Sequence, residues 1–60
     1  MKAKEVIKLL KKNGFQEIKR KGGHRKFYNP ITNKTTEVPY HQGDLKQKTL
    51  DSILKQAGLK

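Results

Sequence analysis

Apolar residues recur at two different periods along this 60-residue chain, and the change of period marks its elements. Ala3, Val6, Ile7 and Leu10 fall at i, i+3, i+4 and i+7, with Leu9 widening the stripe, so residues 2–13 read as an amphipathic helix. Lys4, Lys8, Lys11 and Lys12 occupy its other side. Asn13-Gly14 supplies a C-terminal stop, and Phe15 is placed to fold back on the last turn as the apolar contact of a Schellman-type cap. The same spacing returns at Leu50, Ile53, Leu54 and Ala57, predicting a second helix over roughly 47–58 that Gly58 ends. Two starts are open for it. Asp44 with Gln47 three residues later has the form of a capping box, and Thr49 is an equally good N-cap.

Between these helices the pattern suits strands over roughly 16–21, 24–29 and 34–40. Gly22-Gly23 closes the first hairpin, since glycine takes φ > 0 without a steric penalty. Pro30-Ile31-Thr32-Asn33 closes the second. A two-residue first loop pairs Lys21 with His24, and therefore Ile18 with Phe27. A four-residue second loop pairs Asn29 with Lys34, which sets Arg25 opposite Val38 and Phe27 opposite Thr36. Ile18, Phe27 and Val38 then share the core face. A three-residue first loop would oppose Phe27 with Glu17 and is rejected for that reason. The expected fold is α+β, in the order α-β-β-β-α, with two helices packed on one face of a three-stranded antiparallel sheet. One domain spans residues 1–60.

That register also assigns the other face. It carries Glu17, Lys19, Lys21, His24, Lys26, Tyr28, Thr35, Glu37, Pro39 and His41. His24 lies opposite Pro39, so His41 becomes its diagonal neighbour if the strand continues past the proline. Diagonal Cα positions are about 7–8 Å apart, close enough for two imidazoles to flank one phosphate.

Composition gives that face a partner. Fifteen Lys and Arg against five Asp and Glu leave a net charge of +10, and five of the eight residues from Lys19 to Lys26 are basic. Clustered charge on so small a domain points first to nucleic acid, then to an acidic protein or an anionic membrane. Every cation except Arg20 and Arg25 is lysine, a point charge towards phosphate, so backbone contacts should outweigh base readout. The chain has no cysteine, which excludes disulfides and thiolate zinc sites. Two histidines without an acidic or thiol partner suggest no metal site, and no cofactor is expected. No apolar run approaches the ~18 residues that span a bilayer, and the N-terminus lacks a secretory apolar stretch, so the expected location is the cytoplasm.

The chemistry suited to this face is RNA cleavage by internal transphosphorylation. The RNA's own 2′-OH is the nucleophile, so the protein need supply only a base, an acid and cations for the charged transition state. Imidazole serves either proton transfer because its ordinary pKa, about 6.5, lies near neutrality. Lys19, Lys21, Arg25 and Lys26 are the candidates for electrostatic stabilisation, although Arg25 projects to the helix side unless it reaches around the edge. Tyr28 is a candidate for stacking on a base, or else a cross-strand packing residue. Two other readings remain: a non-catalytic RNA-binding module using the same face, and a small basic component of a ribonucleoprotein.

Several segments together resemble a known family. They are the short helix ending Asn13-Gly14-Phe15, the run Lys21-Gly22-Gly23-His24-Arg25-Lys26-Phe27, then Asn29-Pro30, Val38-Pro39-Tyr40-His41 and the ending Thr49-Leu50-Asp51-Ser52-Ile53-Leu54-Lys55-Gln56-Ala57-Gly58-Leu59. Over essentially its whole length the chain is similar to HicA, the toxin of HicAB toxin–antitoxin systems. The resemblance implies a double-stranded-RNA-binding-like fold and an mRNA-cleaving ribonuclease that a HicB antitoxin neutralises by covering the active-site region. It implies mRNA and HicB as partners, no membrane, and no DNA except operator binding through the antitoxin. By motif, His24 corresponds to the catalytic histidine. The position usually held by serine in that motif is Gly23 here, one hydroxyl short beside His24. Many members have a histidine at the place of His41, and no catalytic role is carried over to it.

Overall fold

The computed structural model describes residues 1–40 and 43–60. Its elements are α1 (Ala3–Lys12), β1 (Gln16–Lys21), β2 (His24–Asn29), β3 (Lys34–Pro39) and α2 (Gln47–Gln56), the expected α-β-β-β-α order. The three strands form one antiparallel sheet in the order β1-β2-β3. The helices cover one face of it. Ala3, Val6, Ile7 and Leu10 of α1 and Leu50 and Ile53 of α2 join Phe15, Phe27, Val38 and Ala57 in a single core, with Leu54 packed against it.

Both helices end in the same way. At the end of α1 the Phe15 N–H donates to the Leu10 carbonyl at 3.0 Å and Gly14 N–H to Lys11 at 3.2 Å, with Gly14 at φ 93°. At the end of α2 Leu59 N–H donates to Leu54 at 2.8 Å and Gly58 N–H to Lys55 at 3.1 Å, with Gly58 at φ 74°. Each is the full Schellman pair of bonds, and the sequence expectation for Phe15 is met by its burial in the core.

The helix starts are less conventional. Lys2 is the N-cap of α1 and its ammonium cannot accept from the first N–H groups, but Glu5 reaches back to the Lys2 N–H at 3.0 Å. For α2 neither expected cap is used, and Lys46 is the N-cap. Asp44 is instead bridged antiparallel to Lys2, and the Leu45 N–H donates to the Met1 carbonyl at 2.8 Å. This pairing keeps the chain extended up to the helix and buries Leu45 in the core. Gln47, freed from a capping box, bonds Asp51 one turn on at 3.0 Å.

The second hairpin has the expected register throughout, from His24 opposite Pro39 to Asn29 opposite Lys34. The first follows expectation only near its turn: Lys21 opposes His24 and Lys19 opposes Lys26. Between Glu17 and Lys19 the register shifts by one, so Glu17 rather than Ile18 faces Phe27. Ile18 is the unpaired bulge residue and is 55 % exposed, which corrects its expected place in the core. Glu17 likewise leaves the open face. Its carboxylate meets Arg20 at 3.3 Å and Arg25 at 3.7 Å, on the side the helices cover. β1 is an edge strand without a buried residue, so the bulge sacrifices little apolar burial while satisfying a carboxylate beside two guanidinium groups.

Asn29 is the buried polar residue that fastens the second turn to the rest. Its amide donates to the Asn13 carbonyl at 2.9 Å, and its Oδ1 accepts from Ile31 N–H at 2.9 Å and Thr32 N–H at 3.3 Å. Among the described residues no helix is long and apolar enough to cross a membrane.

Candidate functional site

The turn between β1 and β2 creates the site. Gly22 adopts φ 56° while Gly23 keeps a φ open to any residue, so only the first central position has the conformation that favours glycine. The Gly23 carbonyl accepts from the Tyr40 N–H, which ties the turn to the end of β3. His24, the first residue of β2, therefore starts at a fixed height beside a turn with no side chains. The pleat then places Lys26 two residues along on the same face. Cross-strand pairing adds Lys21 opposite His24 and Lys19 opposite Lys26.

These residues line a cleft of about 390 Å³, with Gly22, Gly23 and Glu37 completing it. Its floor is the side of the sheet that the helices leave open. Three ammonium groups thus surround one imidazole, and the His24 side chain is 62 % exposed, within reach of a ligand as large as a nucleic acid. The arrangement offers phosphate its counter-charges and holds one proton-exchanging group among them.

Glu37 supplies a contact that the sequence reading missed. The His24 Nδ1 and Glu37 Oε1 are 2.7 Å apart, an imidazole–carboxylate contact. Glu37 opposes Lys26 and so sits diagonal to His24 on the side away from residue 41. The same register that suggests His41 as a diagonal neighbour contains Glu37 as the other one.

The other expected residues are placed differently. Arg25 lies on the helix side: its guanidinium carbon is 3.9 Å from the Tyr40 ring centroid, and its Nε faces Glu17. It is therefore not one of the cations of the cleft, because alternation along β2 turns it away from His24 and Lys26. Tyr28 is on the open face but two pleats from Lys26's neighbour His24, about 13 Å by strand rise. Its hydroxyl donates to Asn33 Oδ1 at 2.9 Å in the second turn. His41 lies outside the described residues.

A family model for the HicA toxin of bacterial toxin–antitoxin systems matches residues 3–59. No curated protein matches the chain. The matched span begins with α1 and runs past Gly58, so it takes in every element that builds the cleft. The chain belongs to the HicA toxin family.

Proposed function

We propose that this toxin is an endoribonuclease that cleaves mRNA by internal transphosphorylation at the His24 cleft, and that a HicB-type antitoxin neutralises it by covering that cleft. The supporting observation is the position of His24 among Lys19, Lys21 and Lys26 on the open face of the sheet. Family membership supplies the antitoxin in general terms, and the chemistry of the cleft favours RNA as the target.

In this reaction the 2′-oxygen attacks the adjacent phosphorus as its proton passes to a base. The bond from phosphorus to the 5′-oxygen breaks, and the departing oxygen takes up a proton. The products are a 2′,3′-cyclic phosphate and a 5′-hydroxyl, so atoms and charge balance with no further reactant. His24 serves as a proton-transfer group, and the lysines stabilise charge on the non-bridging oxygens as the pentacoordinate state forms. The nucleophile comes from the substrate and the charge stabilisation from ammonium groups, so the mechanism requires no metal ion. Expression in the cytoplasm, where mRNA is found, is part of the same reading.

The test is a chimeric oligonucleotide. An RNA that the protein cuts at one site is resynthesised with a single 2′-deoxynucleotide immediately 5′ of the scissile phosphate. Cleavage should vanish at that bond alone, and the all-ribose RNA, once cut, should carry a 2′,3′-cyclic phosphate end. Continued cleavage of the deoxy-substituted bond would rule the mechanism out.

A further inference from the structure

We infer that Glu37 is the positioning residue of the cleft: its carboxylate holds the His24 ring with a proton on Nδ1 and leaves Nε2 to exchange protons with the substrate. This rests on the ribonuclease reading above. An ionised carboxylate presents only lone pairs, so an Oε1 held 2.7 Å from Nδ1 favours the ring form that carries its proton there. Which nitrogen of an imidazole carries its proton is decided by the partner each nitrogen meets, and a carboxylate beside Nδ1 selects Nδ1–H.

The choice of partner is informative. Glu37 stands directly opposite Lys26, yet its carboxylate leans along the strand to the imidazole, and Lys26 and Glu37 form no ion pair. Among the described residues Glu37 is the one carboxylate lining the cleft, and the other charged groups lining it are Lys19 and Lys21 from β1 and Lys26 from β2. The carboxylate beside Nδ1 sets the ring's orientation in the way that a carboxylate orients a catalytic imidazole. Without Glu37 the ring would be free to rotate and to adopt the Nε2–H form that isolated neutral histidine favours.

Two measurements on the full chain test this. The first is the two-bond ¹H–¹⁵N imidazole spectrum of the RNA-free protein at a pH where the ring is neutral, with His24 signals assigned as those missing in His24→Ala. The wild type should show Nδ1 protonated, and Glu37→Ala should show the proton moved to Nε2. The second is single-turnover cleavage. Glu37→Ala should lower the maximal rate by about 10–100-fold, the usual cost of removing such an outer partner. The protein concentration giving half that rate should stay the same or fall, because a negative charge has left a phosphate-binding face. Glu37→Thr, whose strand-favouring side chain cannot reach Nδ1, should behave as Glu37→Ala does and guards against misfolding. If the wild type cuts RNA and both variants match it in rate and tautomer, the role of Glu37 is refuted while the ribonuclease reading stands. If the wild type leaves RNA uncut, the ribonuclease reading falls, and the catalytic use of Glu37 with it.

Discussion

Gly22 and Gly23 are neighbours under different constraints. At Gly22 an added Cβ would touch nothing within 4 Å, but φ 56° strains any residue with a side chain. At Gly23 the backbone is ordinary, and the nearest obstacle to a Cβ is the Tyr40 carbonyl oxygen at 3.4 Å, normal van der Waals contact. Gly22→Ala should therefore cost roughly 1 kcal/mol, and Gly23→Ser only a few tenths, as read from urea unfolding midpoints. Gly23→Ser restores the hydroxyl usual in the family motif without disturbing the turn, so any change in cleavage rate in that variant belongs to the hydroxyl itself. At this scale much of the site was legible in the sequence. The Gly-Gly turn, His24 and three lysines follow from a two-residue loop and strict alternation. The Glu37 contact did not, because a register names opposite residues, whereas a long carboxylate chooses among opposite and diagonal partners by charge and hydrogen-bonding geometry.

Among the elements, β1 shows where pattern reading fails and why. An isoleucine aligned with Phe27 and Val38 predicts a shared core, and pairing near the turn supports it. The helices lie over Phe27 and Val38, however, so an apolar residue on the β1 edge gains little by facing inwards. Glu17 gains more, since Arg20 and Arg25 hold its carboxylate below the usual range, Arg20 by direct hydrogen bonding and both by charge. The bulge resolves the conflict in favour of the ion pairs. Consequently Ile18→Thr should change stability by less than about 0.5 kcal/mol, the norm for an exposed site. Phe27→Ala removes a fully buried ring and should cost about 3–5 kcal/mol. A core this small supplies about 3–5 kcal/mol in all, so the Phe27 variant should be largely unfolded by circular dichroism at 25 °C. The helices were easier to read than β1 because their periodicity and glycine stops point the same way. The start of α2 was not, because the Met1 and Lys2 pairing with residues 44 and 45 that governs it is remote in sequence.

The whole molecule carries +10 charge around a thin core, and two of its carboxylates, Glu17 and Asp51, are held by cations. Asp51 bonds Lys60 and then Gln47, and these bonds lower its pKa, as Arg20 chiefly lowers that of Glu17. A depressed carboxylate pKa contributes stability above the ordinary value and loses it as pH falls through the folded-state value. The melting temperature should therefore be steady from neutrality to about pH 5 and fall below the ordinary carboxylate values near 4, with Glu17→Gln flattening that fall. Under the proposed function, the same excess of positive charge around His24 presents the cleft to RNA. The central claim is that His24 performs proton transfer there, and the most direct measurement compares single-turnover RNA cleavage by the wild type and His24→Ala at matched, saturating protein. His24 is exposed at the start of a strand, so the variant should keep the wild-type circular dichroism spectrum and bind RNA with similar affinity, while its cleavage rate falls by about 10²–10⁴-fold. A folded His24→Ala protein that cuts RNA at the wild-type rate would contradict the account.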